Sequence, residues 1–153
     1  DEAQALFDFY EALAEEKQVR LQLVGAAEII GDRLMLRRAL SNLLSNAIRY
    51  TPPGEQVVVD IQGDLHGTTV DVVNTGPSID AQMIPRLFDR FFRADKSRKQ
   101  LDSDGAGLGL SITQAIVHAH RGRISVSSAD GRTCFSMYFP SAQSIGKHLT
   151  TNA

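Results

Sequence analysis

An unbroken stretch, RLMLRRALSNLLSNAIRY, fills the chain between Asp32 and a Thr51-Pro52-Pro53-Gly54 stop. Its apolar residues recur at helical spacing, Asp32 stands where an N-cap belongs, and Pro-Pro-Gly ends any helix. The pattern therefore predicts one helix from about Asp32 to Tyr50. Leu36, Leu40, Leu43, Leu44 and Ala47 gather on one side of it and need an apolar surface to lie against. The flanking sequence offers a sheet. VRLQLV at 19–24 alternates ahead of the helix, and VVVDIQ at 57–62 and TTVDVVN at 68–74 read as a hairpin around Gly63–Gly67. RISVSS and TCFSMYF read as a closing pair of strands ended by Pro140. Leu6, Phe9, Tyr10 and Leu13 mark a helix before the first strand, and Leu110 to His120 another before the last two. The expected fold class is α/β: a two-layer sandwich, with a mixed sheet of about five strands covered by three main helices.

A chain of 153 residues fits one domain with a core of its own. Residues 1–140 carry the pattern, and the tail SAQSIGKHLTTNA (141–153) is expected to be disordered. Hydrophobic residues at 42% and charged residues at 22% are ordinary for a soluble globular protein. A net charge of −2 gives no electrostatic reason to expect nucleic acid or an anionic membrane surface as a partner. The single cysteine, Cys134, rules out an internal disulfide; set in CFSMYF, it reads as a core residue rather than a nucleophile. No apolar run is long enough to cross a bilayer, and there is no signal-peptide pattern. The chain begins without Met and inside a helical pattern, DEAQALFDFYEALAEEK, which points to a piece of something longer.

The long helix has a second face. Asn42, Asn46, Arg49 and Tyr50 lie at i, i+4, i+7 and i+8, within an arc of roughly 100°. Asparagine is a mediocre helix former, and two of them with a cation and a phenol one turn on are poor choices for a neutral solvent face. Together they offer amide oxygens for a hard cation and donors for phosphate oxygens. NTGPSI then ends a strand with a polar side chain and a glycine turn that could hold a flat base. A short helix is expected to end near LFDRFF, whose aromatics can anchor one end of the polar stretch ADKSRKQLDSD (94–104), expected to be mobile. DGAGLGL closes that stretch at the start of a helix, where free amides favour an anion. The glycine run follows a polar loop instead of a strand, so it is not a dinucleotide fingerprint, and no Gly-Lys-Ser/Thr marks a Walker A loop.

In this order, the pieces resemble the catalytic ATP-binding domain of sensor histidine kinases, in the wider group with DNA gyrase, MutL and the chaperone ATPases. NLLSNAIRYT is similar to the N box, LFDRFFRAD to the F box, GAGLGLSI to the second glycine box, and HRGRISVSS with GRTCF to the usual ending of the domain. The resemblance implies a Bergerat-type fold that binds ATP with Mg²⁺. By position, Asn46 would hold Mg²⁺ and Asn42 would help orient the phosphates. Arg49 and Tyr50 would contact phosphate or ribose, while Arg93 and Arg90 would serve the γ-phosphate side. Asn74, Gly76, Ile79 and Thr133 would border the base, and Gly105, Gly107 and Gly109 would let a lid close, with Leu108 and Leu110 near the nucleotide. The implied partners are a histidine-bearing dimerisation domain of the same parent and a cognate response regulator. The fragment is expected as a monomer, and its parent as a homodimeric bacterial inner-membrane sensor whose kinase domain is cytoplasmic.

Two departures shape the reading. The first glycine box usually has Asp where this chain has Asn74 and Gly where it has Ser78; with Asn74 it looks like the subgroup responding to copper or silver. The ATPases of the wider group carry a water-activating Glu where this chain has Asn42, which cannot accept a proton at neutral pH. The site is therefore expected to hold ATP for transfer rather than hydrolysis. The histidines read HGTT, HAHR, HRGR and HLTT, none suited to phosphate acceptance, and His118 and His120 are expected in capping or surface roles. Open alternatives are a hydrolytic ATPase, a serine-kinase relative, and a nucleotide-binding module with weak or no kinase activity.

Overall fold

The computed structural model describes residues 2–89 and 109–141. In chain order the elements are α1 (Glu2–Glu16), β1 (Arg20–Gly25), α2 (Arg33–Tyr50), β2 (Gln56–Gly63), β3 (Gly67–Thr75), α3 (Gly109–Ala119), β4 (Arg123–Ala129) and β5 (Arg132–Pro140). The strands form one mixed sheet in the order β1-β2-β3-β5-β4, with β1 parallel to β2 and the other neighbours antiparallel. The three helices and the five strands agree with the expected sandwich.

Local chemistry fixes the ends of α2. Asp32 caps it, its Oδ1 accepting from Met35 N at 3.0 Å. At the far end Lys17 Nζ donates to Ile48 O (2.8 Å) and Arg49 O (3.0 Å), placing a cation at the negative end of the helix. Thr51 Oγ1 donates to Ala47 O at 2.5 Å. His120 braces the beginning of the same helix from α3. Its Nε2 accepts from Asp32 N at 3.0 Å while its Nδ1 lies 2.8 Å from Ile116 O, so it acts at a helix end as expected.

The core lies between α2 and the inner face of the sheet. Leu43, Leu44 and Ala47 are buried against Val57, Val59, Val70, Val72, Phe135, Met137 and Phe139. Leu36 and Leu40 are only half-buried, because the amino-terminal half of α2 borders an open groove. Strand alternation corrects the reading of Cys134. Phe135, Met137 and Phe139 take the inner face of β5, so Cys134 falls on the outer face and is half-buried, not core. Burial, and secondarily the Asp71 carboxylate, push its thiol pKa up, with Arg132 opposing.

The helix expected near LFDRFF is a single 3-10 turn, Ile84–Arg86, within the described residues. Pro85 stands in the first turn, where its missing N–H is tolerated, and it bars a helix from beginning more than a turn earlier. Phe88 still anchors this segment, its ring edge-on to Phe135 at 6.4 Å. Ser141, the first residue of the expected tail, is held by Ser141 N to His66 O (2.8 Å) and Ser141 Oγ to Leu65 O (2.7 Å); residues 142–153 lie outside the described part. No helix among the described residues is long and apolar enough to cross a membrane.

Candidate functional site

Three pieces meet at one end of the sheet: the last turns of α2, the turn after β3, and the start of α3. On α2, the residues Asn42, Asn46, Arg49 and Tyr50 are all half-buried, beside an inward side formed by Ala39, Leu43 and Ala47. The two-faced helix read from the sequence is thus the helix observed. Arg49 stacks its guanidinium over the neighbouring Tyr50 ring, 5.9 Å from the centroid. The Asn46 carboxamide has no hydrogen-bond partner among the described residues. A half-buried amide left open at the end of a core is a ready ligand for something from outside.

The turn after β3 is laced to the β4–β5 hairpin. Gly76 N donates to Gly131 O (2.9 Å), Gly131 N to Ser78 Oγ (3.1 Å), and Ile79 N to Ser128 Oγ (2.7 Å). Ser128 Oγ lies 2.7 Å from Thr133 Oγ1. Gly76 has φ +137°, and a Cβ there would come within 2.8 Å of Pro52 Cδ, so the turn presses against the end of α2. Beneath it the inner rows of the sheet change from apolar to polar. Val70 and Val72 lead to Asn74 on β3, and Phe139, Met137 and Phe135 lead to Thr133 on β5. Asn74 and Thr133 are register partners and are 7% and 3% exposed, a buried polar pair at the mouth of an apolar floor. Ile79 and Leu110 pack against that core, both partly buried.

Asn42 joins α2 to α3. Its Nδ2 donates to Gly109 O (3.2 Å) and to Thr113 Oγ1 (3.3 Å). Thr113 and Ser128 are site residues that the sequence reading missed. The signal for Thr113 is a polar side chain on the buried side of an apolar helix, four residues after Gly109. For Ser128 it is alternation, which brings it to the inner face beside Thr133.

Of the residues expected at the site, Asn42, Asn46, Arg49, Tyr50, Asn74, Gly76, Ile79, Gly109, Leu110 and Thr133 are thus brought to this end of the molecule. Arg90, Arg93, Gly105, Gly107 and Leu108, with the polar stretch 94–104, lie outside the described residues. No group of three His, Cys, Asp or Glu side chains that could hold a metal occurs among the described residues. The donor set is instead amide and hydroxyl oxygen. That suits Mg²⁺, which takes one or two protein oxygens and fills its remaining positions with water and phosphate.

Residues 31–143 match the model of the family described as histidine kinase-, DNA gyrase B- and HSP90-like ATPase. The chain is 52% identical to the sensor histidine kinase CusS of Escherichia coli O157:H7 over 92% of its own length and 29% of that protein. It therefore spans less than a third of the relative it matches. Among solved structures, the mycobacterial sensor histidine kinase MprB superposes with a TM-score of 0.75 at 28% identity, covering 90% of this chain and 95% of that one. Full-length ShkA in complex with AMPPNP does so with a TM-score of 0.74 at 25% identity, covering 90% of this chain and 28% of that one. The family match covers the long helix, the glycine turn and the start of α3 together, and this chain belongs to the histidine kinase-, DNA gyrase B- and HSP90-like ATPases.

Proposed function

We propose that this chain is the ATP·Mg²⁺-binding catalytic domain of a sensor histidine kinase, donating the γ-phosphoryl group to a histidine on a separate dimerisation domain. The half-buried Asn46 amide, without a hydrogen-bond partner among the described residues and in line with Asn42 along the same side of α2, is the observation that carries the reading. Asn46 would hold Mg²⁺, Asn42 would help orient the phosphates, and Arg49 and Tyr50 would meet phosphate or ribose. Asn74 and Thr133 would accept the base over the apolar floor, with Gly76 and Ile79 as its wall. Arg90 and Arg93, with the glycines at 105, 107 and 109, would serve the phosphate end, beside Leu108 and Leu110. Mg²⁺ held by Asn46 would supply charge neutralisation at the triphosphate.

What the chain's own residues withhold matters as much. Position 42 carries an amide committed to α3 instead of a carboxylate, so no base there can activate water. The triphosphate would wait for a better nucleophile, an imidazole nitrogen. A P–N bond then forms as the γ-phosphorus leaves the bridging oxygen, ADP departs, and the imidazole N–H proton passes to solvent.

The parent is read as a bacterial inner-membrane sensor, homodimeric through its dimerisation domain, with this domain in the cytoplasm and a response regulator as its partner. Asn74 in the first glycine box supports a place in the copper- and silver-responsive subgroup, and 52% identity to the sensor histidine kinase CusS agrees with a sensor-kinase parent. The test is reconstitution: this chain, labelled ATP, Mg²⁺ and a separately purified histidine-bearing helical domain. Acid-labile phosphate on that domain is expected, and release of free phosphate at a comparable rate would refute the transfer reading.

A further inference from the structure

The contact between Asn42 and α3 has a direction. Thr113 commits its hydroxyl proton to the Gly109 carbonyl, Oγ1 to O 2.8 Å. Its oxygen can then only accept, and Gly109 O is an acceptor too, so both atoms that α3 turns toward Asn42 are acceptors. Asn42 must answer with its NH₂ group, and it does so at 3.2 Å and 3.3 Å. Reversed, the amide would set its Oδ1 against two oxygens. The carboxamide is thereby held with Oδ1 turned away from α3, the oxygen being the atom a hard cation requires. Thr113 is 0% exposed, so water cannot stand in for its hydroxyl.

We infer that Thr113 is a positioning residue for the nucleotide site: it orients the Asn42 amide so that oxygen, not NH₂, faces the Mg²⁺-triphosphate. The inference rests on the nucleotide-site reading above and deepens it. It gives the amide at position 42 a second task, since the group that replaces a carboxylate also fastens α3 to α2. A carboxylate at position 42 would have no hydrogen to offer either acceptor.

The experiment is calorimetric titration of the 153-residue chain with AMPPNP across a Mg²⁺ series, for the wild type, Thr113→Val and Thr113→Ser. Valine keeps the shape and removes the hydroxyl, whereas serine keeps the hydroxyl and removes a methyl. Loss of one acceptor is worth about a factor of five. Thr113→Val should therefore raise the half-saturating Mg²⁺ concentration about fivefold while leaving Mg²⁺-free affinity within about twofold. Thr113→Ser should keep the wild-type Mg²⁺ dependence. In the nucleotide-free protein, hydrogen exchange at amides 110–113 should quicken in Thr113→Val only. Unchanged Mg²⁺ dependence in the valine variant overturns the inference, as does equal impairment in the serine variant. Equal losses with and without Mg²⁺ overturn it as well, because they mark a merely structural role. A wild-type chain without Mg²⁺-dependent nucleotide affinity overturns the site reading and the inference together.

Discussion

Replacing Gly76 by alanine should loosen the joint between the end of α2 and the sheet. The backbone φ of +137° is a conformation open essentially to glycine, and holding another residue there costs of order 1–3 kcal/mol. The new Cβ would also lie 2.8 Å from Pro52 Cδ and 3.5 Å from Pro52 Cγ. A proline ring cannot swing aside as a flexible side chain does, so the overlap adds roughly 1–2 kcal/mol. Some relaxation is expected, and the net loss should be about 3 kcal/mol, a fall in Tm of roughly 6–12 °C for a domain of this size. Gly54 is the control. It has φ +90° with nothing within 4 Å, so Gly54→Ala meets the backbone cost without the collision. Thermal unfolding of Gly76→Ala, Gly54→Ala, Pro52→Ala and the Gly76→Ala/Pro52→Ala pair, followed by circular dichroism, separates the two costs. Pro52→Ala removes both ring atoms, and the double variant should recover about 1–2 kcal/mol relative to additivity. Equal losses at positions 76 and 54, together with strict additivity at 76 and 52, would refute the collision.

Asn46→Ala should weaken Mg²⁺-dependent nucleotide binding by at least about tenfold, the cost of one charge-assisted ligand, with Tm nearly unchanged; unaltered affinity in calorimetry would contradict its role. Asn74→Asp restores a charged acceptor for the base and should tighten ATP by about 1 kcal/mol, several-fold in Kd, while Tm without nucleotide falls because the site is 7% exposed. For Cys134 the raised pKa means less thiolate at neutral pH than in an open cysteine, so alkylation should be slow and should accelerate only at more alkaline pH. Asp71→Asn removes the second cause of that rise and should quicken alkylation at neutral pH; an unchanged rate would show that burial acts alone.

The parts of the fold legible in the sequence are those fixed over one or two turns of chain. Asp32 and the Pro-Pro-Gly stop bound α2 because capping and proline chemistry act on neighbouring residues. Alternation revealed the strands for the same reason. Strand order did not follow, because β5 enters between β3 and β4, and which strands pair depends on contacts far apart in sequence. In CFSMYF both faces carry non-polar groups, so composition could not say that Cys134 faces outward; the pairing of Val73 with Cys134 and Val72 with Phe135 decides it. Near LFDRFF the described residues form only the 3-10 turn Ile84–Arg86, with Pro85 in its first turn limiting how early a helix can begin.

Position 42 marks the limit most sharply. The resemblance implies a water-activating carboxylate there in the related ATPases, and this chain carries an amide, Asn42. What the amide does instead depends on a threonine 71 positions away, brought alongside only when α3 packs on α2. The consequence for mechanism runs beyond a missing base. Substituting a carboxylate there to restore hydrolysis would also place negative charge against the Gly109 carbonyl and the Thr113 oxygen, the two acceptors that now hold α3 in place. Restoring the base and keeping the joint therefore pull against each other, and in this chain's α2–α3 packing the joint is what the residue serves.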